Sequence, residues 1–217
     1  YQKTFVNTSE AKSYLEKHGI TDSRIHEKHR IGYADGSLLK ALPSKGKILN
    51  ELKSCGIIND GVERFLNCIT FPITDVHGVP VNIAGINLKT AKTLLLFNDA
   101  SAIWNIEAVS KHKEIIVTGN LTDALLLECL GINNAVTILV PEAETHLKNV
   151  KVKKLEIPGG ISLADYIKKH GASRLEKLIG GESIATPDEV SENGFSISFG
   201  LRKYEIISPV KKDNKLK

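Results

Sequence analysis

The chain has 217 residues, of which 41% are hydrophobic, 25% charged and 6% aromatic. That composition excludes a disordered, collagenous or disulfide-dense polypeptide, and at roughly 150 residues per domain it leaves room for one large domain or two small ones. Its 29 Lys and Arg against 25 Asp and Glu give a net charge of +4, which permits a polyanionic partner without demanding one. Apolar runs such as Ile115–Val117 and Leu125–Leu127 fall far short of the roughly 18 residues of a membrane span.

The first stretch reads as helices joined by short turns. Asn7-Thr8-Ser9-Glu10 has the form of a capping box opening a helix over Ala11–His18, with Gly19 as its left-handed stop. A second helix is expected over Lys47–Cys55, ending at Gly56. From Thr70 the period shortens: two runs, 70–74 and 79–83, flank the turn Asp75-Val76-His77-Gly78, a hairpin signature. Pro72 and Pro80 each lack a ladder donor, so both should sit at an edge or face away from pairing. Ala100–Ser110 is expected to be a short helix carrying the single tryptophan, Trp104.

An α/β pattern follows. Glu114–Thr118 is a buried-strand run, Gly119-Asn120 a turn, Thr122–Leu130 a helix stopped by Gly131, and Ala135–Val140 a second strand. After a basic, loop-like stretch, Val152–Ile157 can be a third strand, and Pro158-Gly159-Gly160 turns into helices over Leu163–His170 and Ser173–Ile179. Gly180–Asn193 reads as a linker, Phe195–Phe199 and Arg202–Ile207 as a terminal hairpin, and Lys211–Lys217 as a frayed basic tail. The expected class is thus α+β with an α/β unit, divided into 1–110, 111–182 and 183–217.

Few residues announce chemistry. Cys55, Cys68 and Cys129 lack CxxC spacing and read as buried free thiols of a reducing, cytoplasmic environment. The pair His26 and His29 beside Glu27 could ligate a metal, but Arg24, Lys28 and Arg30 around it favour a solvated cationic face. Walker and Gly-x-Ser-x-Gly patterns are absent, so neither P-loop nor nucleophilic hydrolase chemistry has a foothold. A strand, a Gly-containing turn and a helix at Ile115–Leu130 form the arrangement that presents first-turn groups to a phosphate or metal. Asp123 stands in that first turn, either complementing the helix dipole or acting catalytically. Arg64, Lys89, Lys92, Lys151 and Lys153 are the candidate nucleic-acid contacts; Tyr33, Trp104 and Tyr204 are rings that could stack bases if exposed.

In chain order these motifs resemble the RNA-polymerase core of bacterial DnaG-type DNA primases. Ala11-Lys12-Ser13-Tyr14-Leu15 with Gly19-Ile20 is similar to the family's helix opening. Ile69-Thr70-Phe71-Pro72-Ile73-Thr74-Asp75-Val76-His77-Gly78 resembles its "R-I-x-F-P-I-x-D-x-x-G" hairpin. Ala84-Gly85-Ile86, Lys92-Thr93-Leu94 and Ile103-Trp104-Asn105-Ile106 stand where the family has "F-G-G-R", "K-Y-L-N" and "L-Y-G-L". The unit from Ile115, with Asp123-Ala124-Leu125 and Gly131-Ile132, looks like the family's Toprim fold, closed by Ile157-Pro158-Gly159-Gly160. The resemblance spans roughly residues 8 to 180 and implies a zinc-binding domain before Tyr1; a chain that opens on tyrosine and contains no methionine is expected to be a piece of a longer polypeptide.

The departures shape the expectation. In the family a Toprim glutamate and several aspartates act with divalent metal; here Gly119 or Thr118 stands at the glutamate's place, and only Asp123 remains. Between Gly131 and Pro158 there are Glu142, Glu144 and Glu156 but no aspartate, and that segment is shorter than the roughly 30 residues of a full β-α-β crossover. Asn67 or Cys68 replaces the arginine before the hairpin and Ile86 the arginine after Gly85. The resemblance therefore implies a primase-like module of a DNA replication protein that binds single-stranded DNA, a replicative helicase or another replication protein, without synthesising primers. It needs no cofactor and has no metal ligand set. The alternative is an active primase using Mg²⁺ or Mn²⁺ held by acids such as Asp123, Glu128, Glu142 and Asp165; a purely structural interaction module is the third reading.

Overall fold

The computed structural model describes residues 1–180 and the backbone of residues 190–191, 194–199 and 202–207. Two short helices open the chain, α1 (Gln2–Asn7) and α2 (Ser9–Lys17). The expected capping box does not form. Thr8 is the N-cap residue but makes no side-chain cap, because the preceding turn is itself helical and the Thr8 hydroxyl donates back to the Thr4 carbonyl at 2.8 Å, a competing local bond open to any threonine that follows a helical turn. Helix α3 (Ser23–Lys28), strand β1 (Gly32–Ala34), helices α4 (Ser37–Ala41) and α5 (Lys47–Ser54), and the small hairpin β2 (Ile58–Asn59) and β3 (Val62–Glu63) follow.

The central hairpin is β4 (Cys68–Thr74) and β5 (Pro80–Asn87), joined by a turn in which Asp75 Oδ1 accepts from the backbone N–H groups of His77 and Val79, each at 2.9 Å. With β1 and β6 (Thr93–Leu95) it makes an antiparallel sheet in the order β1-β4-β5-β6. Pro72 lies beyond the end of β1, which pairs only with Cys68, Ile69 and Thr70, and Pro80 is the first residue of its strand, so neither missing donor is needed. Gly85 marks a close approach: a Cβ there would sit 2.5 Å from the Phe65 ring.

Trp104 departs from the helical expectation. It ends β7 (Ile103–Trp104), and the helix begins only at α6 (Glu107–Lys111). Asn105, at φ 60°, breaks the run, and its amide donates to the Ala135 carbonyl at 2.8 Å; a β-branched and an aromatic residue suit a buried edge strand better than a solvated helix. Strand β8 (Glu114–Thr118), helix α7 (Leu121–Cys129), strand β9 (Ala135–Ile138), a 3₁₀ turn over Pro141–Leu147 and strand β10 (Lys151–Lys154) complete the α/β unit. Its sheet runs β10-β8-β9-β7, with β8 parallel to both neighbours and β7 antiparallel. Helices α8 (Leu163–His170) and α9 (Ala172–Ile179) close it. Most of the expected linker lies outside the described residues; Val190–Ser191 within it is strand β11, paired with the terminal hairpin β12 (Gly194–Phe199) and β13 (Arg202–Ile207).

One apolar core joins the first helices to the α/β unit: Phe5, Leu15 and Ile20 cluster with Leu121, Leu125, Leu126 and Leu163. Helix α7 is buried along all nine of its residues, which explains why its sequence lacks the polar stripe of a surface helix. Tyr33 and Trp104, considered as stacking rings, are core residues at 5% and 2% exposure. The Tyr204 side chain lies outside what is described. Of the three free cysteines, Cys68 and Cys129 are buried but Cys55 is only half-buried, and burial pushes the Cys129 thiol up to about 12.

Candidate functional site

The parallel strands β10, β8 and β9 end together at Lys154, Thr118 and Ile138, and the crevice outside the carboxyl ends of such strands is where open α/β sheets bind ligands. A cavity of about 370 Å³ lies there, lined by Thr118, Gly119, Val140, Glu144, Lys154 and Glu156 among others.

Beside the charged Glu144, Lys154 and Glu156 of this lining, the ends of β8 and β9 are neutral. Thr118 and Thr137 face each other across the β8–β9 pair, 3% and 0% exposed, with their Oγ1 atoms 2.7 Å apart. Both hydroxyls also lie within hydrogen-bonding distance of the Asn120 carbonyl, at 2.9 and 3.1 Å. The turn from strand to helix is thus held by hydroxyls satisfied within the protein, with no acid among them. The resemblance singles out Thr118, as one of two residues at the family glutamate's place, while Thr137 is marked only as a polar residue at the buried end of an apolar strand.

Asp123 completes the same turn. Asn120 caps α7, its Oδ1 accepting from the Asp123 backbone N–H at 2.8 Å and from the Thr122 hydroxyl at 2.7 Å. The Asn120 amide in turn donates to Asp123 Oδ2 at 2.9 Å, and the Leu163 backbone N–H donates to Asp123 Oδ1 at 3.3 Å. Both carboxylate oxygens therefore face neutral donors, and the residue ties the start of α7 to the start of α8. Burial pushes the Asp123 carboxyl above its ordinary range, outweighing the bonds from Leu163 and Asn120.

These residues do not fit a divalent metal, which asks for several oxygens converging on one point. Among the described residues no group of three or more His, Cys, Asp or Glu is placed to hold one. Asp165 is occupied as a cap partner, its Oδ2 accepting from the Ser162 hydroxyl at 2.8 Å. Glu142 stands in the first turn of the exposed 3₁₀ segment, and Glu144 faces Lys154 at 4.0 Å. Glu128, on the same helix as Asp123, lies about 7.5 Å further along the axis and about 140° around it.

Glu128 serves a different contact. Its carboxylate accepts from Lys28 Nζ and, at 2.7 Å, from His29 Nε2, while the His29 ring packs 4.7 Å from that of Trp104. Burial raises the Glu128 carboxyl, but the hydrogen bond and charge of His29, with those of Lys28, more than offset it and hold the group below its ordinary range. The imidazoles of His26 and His29 accordingly do not belong to a solvated face: His26 lies against Phe5, ring centroids 5.3 Å apart, and His29 is 14% exposed at its side chain.

The candidate nucleic-acid contacts fall into two groups. Arg64 donates from Nε and Nη2 to the Leu95 carbonyl of β6, at 3.0 and 2.8 Å, and Lys89 and Lys92 are exposed in the turn between β5 and β6. Lys151 and Lys153 stand on β10, the edge strand of the other sheet, where Lys151 pairs with Glu114. Of the positions named as replaced arginines, Ile86 is 4% exposed; for the other, Cys68 is 0% exposed and Asn67, the alternative, is half-buried.

Residues 1–101 match the family of the DNA primase catalytic core, N-terminal domain. The DNA primase of Lactococcus lactis is 25% identical over 219 residues, covering 88% of this chain and 34% of the relative. That of Helicobacter pylori is 27% identical over 156 residues, 64% of this chain and 28% of its own length. The chain thus spans about a third of the curated relatives it matches. Among solved structures, the Aquifex aeolicus primase, with zinc-binding and RNA polymerase domains, superposes with a TM-score of 0.67 at 22% identity over 82% of this chain and 57% of that one. A DnaG primase catalytic domain bound to ssDNA gives 0.65 at 20% identity, over 82% and 76%. The mixed helix-and-sheet fold is that of the DnaG catalytic core.

Proposed function

We propose, from the match of residues 1–101 to the N-terminal domain family of the DNA primase catalytic core, that this chain is a primase-core module whose α/β unit is a shortened Toprim-like fold that binds single-stranded DNA without synthesising primers itself. The observation that carries the second half is the carboxyl end of the parallel sheet. Phosphoryl transfer of this kind relies on metal-held charge stabilisation; the crevice offers the Thr118 hydroxyl, engaged with the Asn120 carbonyl, and two acids, Glu144 and Glu156, that belong to no group of three or more metal-ligating side chains among the described residues, while Asp123 lies outside that lining with a hydrogen bond on each oxygen. The DNA-binding half is supported by Lys89 and Lys92 in the β5–β6 turn, by Lys151 and Lys153 on the edge strand β10, and by a structural relative described as bound to ssDNA.

Two assays test the halves separately. Fluorescence anisotropy with a labelled single strand should show binding that weakens steeply as salt rises, because each neutralised phosphate releases counterions; no binding at low salt overturns the DNA-binding half. Incubation with ribonucleotides, a single-stranded template and Mg²⁺ or Mn²⁺ should give no primer. Primers that disappear in Asp123→Ala would overturn the inactive reading and establish a metal site assembled from acids that the present geometry keeps apart.

A further inference from the structure

Among the described residues, four helices end in the same way. After α2 the Gly19 N–H bonds to the Glu16 carbonyl and the Ile20 N–H to Leu15; after α5, Gly56 bonds to Lys53 and Ile57 to Leu52; after α7, Gly131 bonds to Glu128 and Ile132 to Leu127. Each is a Schellman stop, glycine taking the left-handed position and isoleucine following it. Helix α3 closes with the same two bonds, Arg30 to Glu27 and Ile31 to His26. There the left-handed residue is an arginine, at φ 49°. A side chain with a Cβ is disfavoured in this conformation, and strain that a chain keeps at one of four equivalent positions points to a use for the side chain.

Arg30 lines a cavity of about 360 Å³ at the opposite end of the parallel sheet from the crevice described above. Its walls come from the end of α3, the β4–β5 hairpin at Thr74 and Gly78, β7 and α6, and Asn133 in the turn before β9. Five of the lining side chains can carry positive charge, Lys28, His29, Arg30, Lys111 and His112, against one carboxylate, Glu107. Glu107 is spoken for, paired with Lys111 at 2.6 Å, and Lys28 and His29 are engaged with Glu128. Among the described residues Arg30 and His112 have no carboxylate partner, so the cavity keeps a guanidinium and an imidazole, with the amide of Asn133 and the hydroxyl of Thr74, for something else. A planar fork of donors and an imidazole on the walls of one cavity suit a tetrahedral oxyanion.

We infer that this cavity is a phosphate-binding site, separate from the carboxyl-end crevice, with Arg30 and His112 as its direct contacts; the phosphate is that of a small phosphoester or of a nucleic-acid backbone. The inference does not depend on the proposed function, since none of the lysines that support strand binding there lines this cavity. Trp104 is the only tryptophan of the chain and lines the cavity, so its emission reports occupancy. The full chain is titrated with inorganic tripolyphosphate, with ATP, and with an oligothymidylate. A saturable change with the first two assigns a small phosphoester, and a change with the oligomer alone assigns a backbone phosphate.

In either case Arg30→Gly should weaken the response at least tenfold while the thermal midpoint stays level or rises, because glycine relieves the left-handed position. His112→Gln should weaken it several-fold. No change in Trp104 emission with any of the three probes overturns the inference, as does a response that survives Arg30→Gly and His112→Gln combined. Anisotropy of single-stranded DNA on the same variants separates the two proposals: strand binding that persists when tripolyphosphate binding is lost leaves the proposed function standing without this site.

Discussion

Helix α7 carries one buried carboxylate near each end, and the two are treated in opposite ways. Asp123, in the first turn, accepts its hydrogen bonds from neutral donors, and burial outweighs these and the charge of His18 to hold it above its ordinary pKa. Glu128, in the last turn, meets Lys28 and His29 and sits below its own. A carboxylate near a helix N-terminus is favoured by the dipole and one near the C-terminus is not, so Glu128 is the acid that requires cationic partners. The contrast extends to the sheet. The carboxyl end, where a ligand is expected, is floored by the threonine hydroxyls, while the amino end gathers Lys28, His29, Arg30, Lys111 and His112 around a cavity. The order of the strands does not by itself fix the end at which positive charge gathers.

The largest test of this contrast is Glu128→Ala, which strands His29 and part of Lys28. Denaturant unfolding should show a loss of about 3 kcal/mol, at the lower edge for breaking a buried pair, because Lys28 can turn to solvent. Next comes Asp123→Ala, which leaves the Leu163 N–H and the Asn120 amide without an acceptor and should cost about 1–2 kcal/mol. An equal or greater loss at Asp123 than at Glu128 would reverse the ranking.

pH gives the sharper reading, since the signs differ. Glu128 has a depressed folded pKa, so its share of stability is present above about pH 4.3 and is lost as pH falls through the folded value. Wild type should therefore lose its advantage over Glu128→Gln on acidification. Asp123 has a raised folded pKa, so its ionised form is the costly one, and its share improves as pH falls towards about 3.9; wild type should gain on Asp123→Asn over that interval. Parallel slopes for the two variants would break the comparison.

A smaller effect belongs to the threonines. Thr118→Val and Thr137→Val should each cost about 1 kcal/mol, and the double variant less than the sum, since each hydroxyl partners the other. The smallest concerns the exposed Lys151–Glu114 pair: Lys151→Ala should change stability by less than about 1 kcal/mol, the range of surface ion pairs.

Local features were the legible ones. The hairpin around Asp75–Gly78, the buried strand at Glu114–Thr118 and the glycine stops at 19, 56 and 131 depend on near neighbours and stand where sequence reasoning puts them. Ile103–Trp104 was misread as helical because a two-residue strand has no period to detect, and its pairing with β9 is a tertiary event. The stop at Arg30 was illegible because no glycine marks it. The link from Glu128 to Lys28 and His29 spans 100 and 99 positions of sequence, and no spacing rule reaches that far. For Asp123, the sequence left a choice between dipole partner and catalyst; only the positions of Asn120 and Leu163 reveal that its oxygens are taken.

The burial of α7 on every side has a consequence for how the chain comes into being. Its wall is built partly by Phe5, Leu15 and Ile20, which precede it, and partly by Leu163, Ile167 and Leu175, which leave the ribosome later. At roughly 5–20 residues per second, a helix carrying Leu121, Leu125, Leu126 and Leu127 waits several seconds with one flank open. During that interval the nascent chain presents a leucine-rich surface to whatever binds such surfaces, and slowing translation across α8 and α9 would lengthen the exposure.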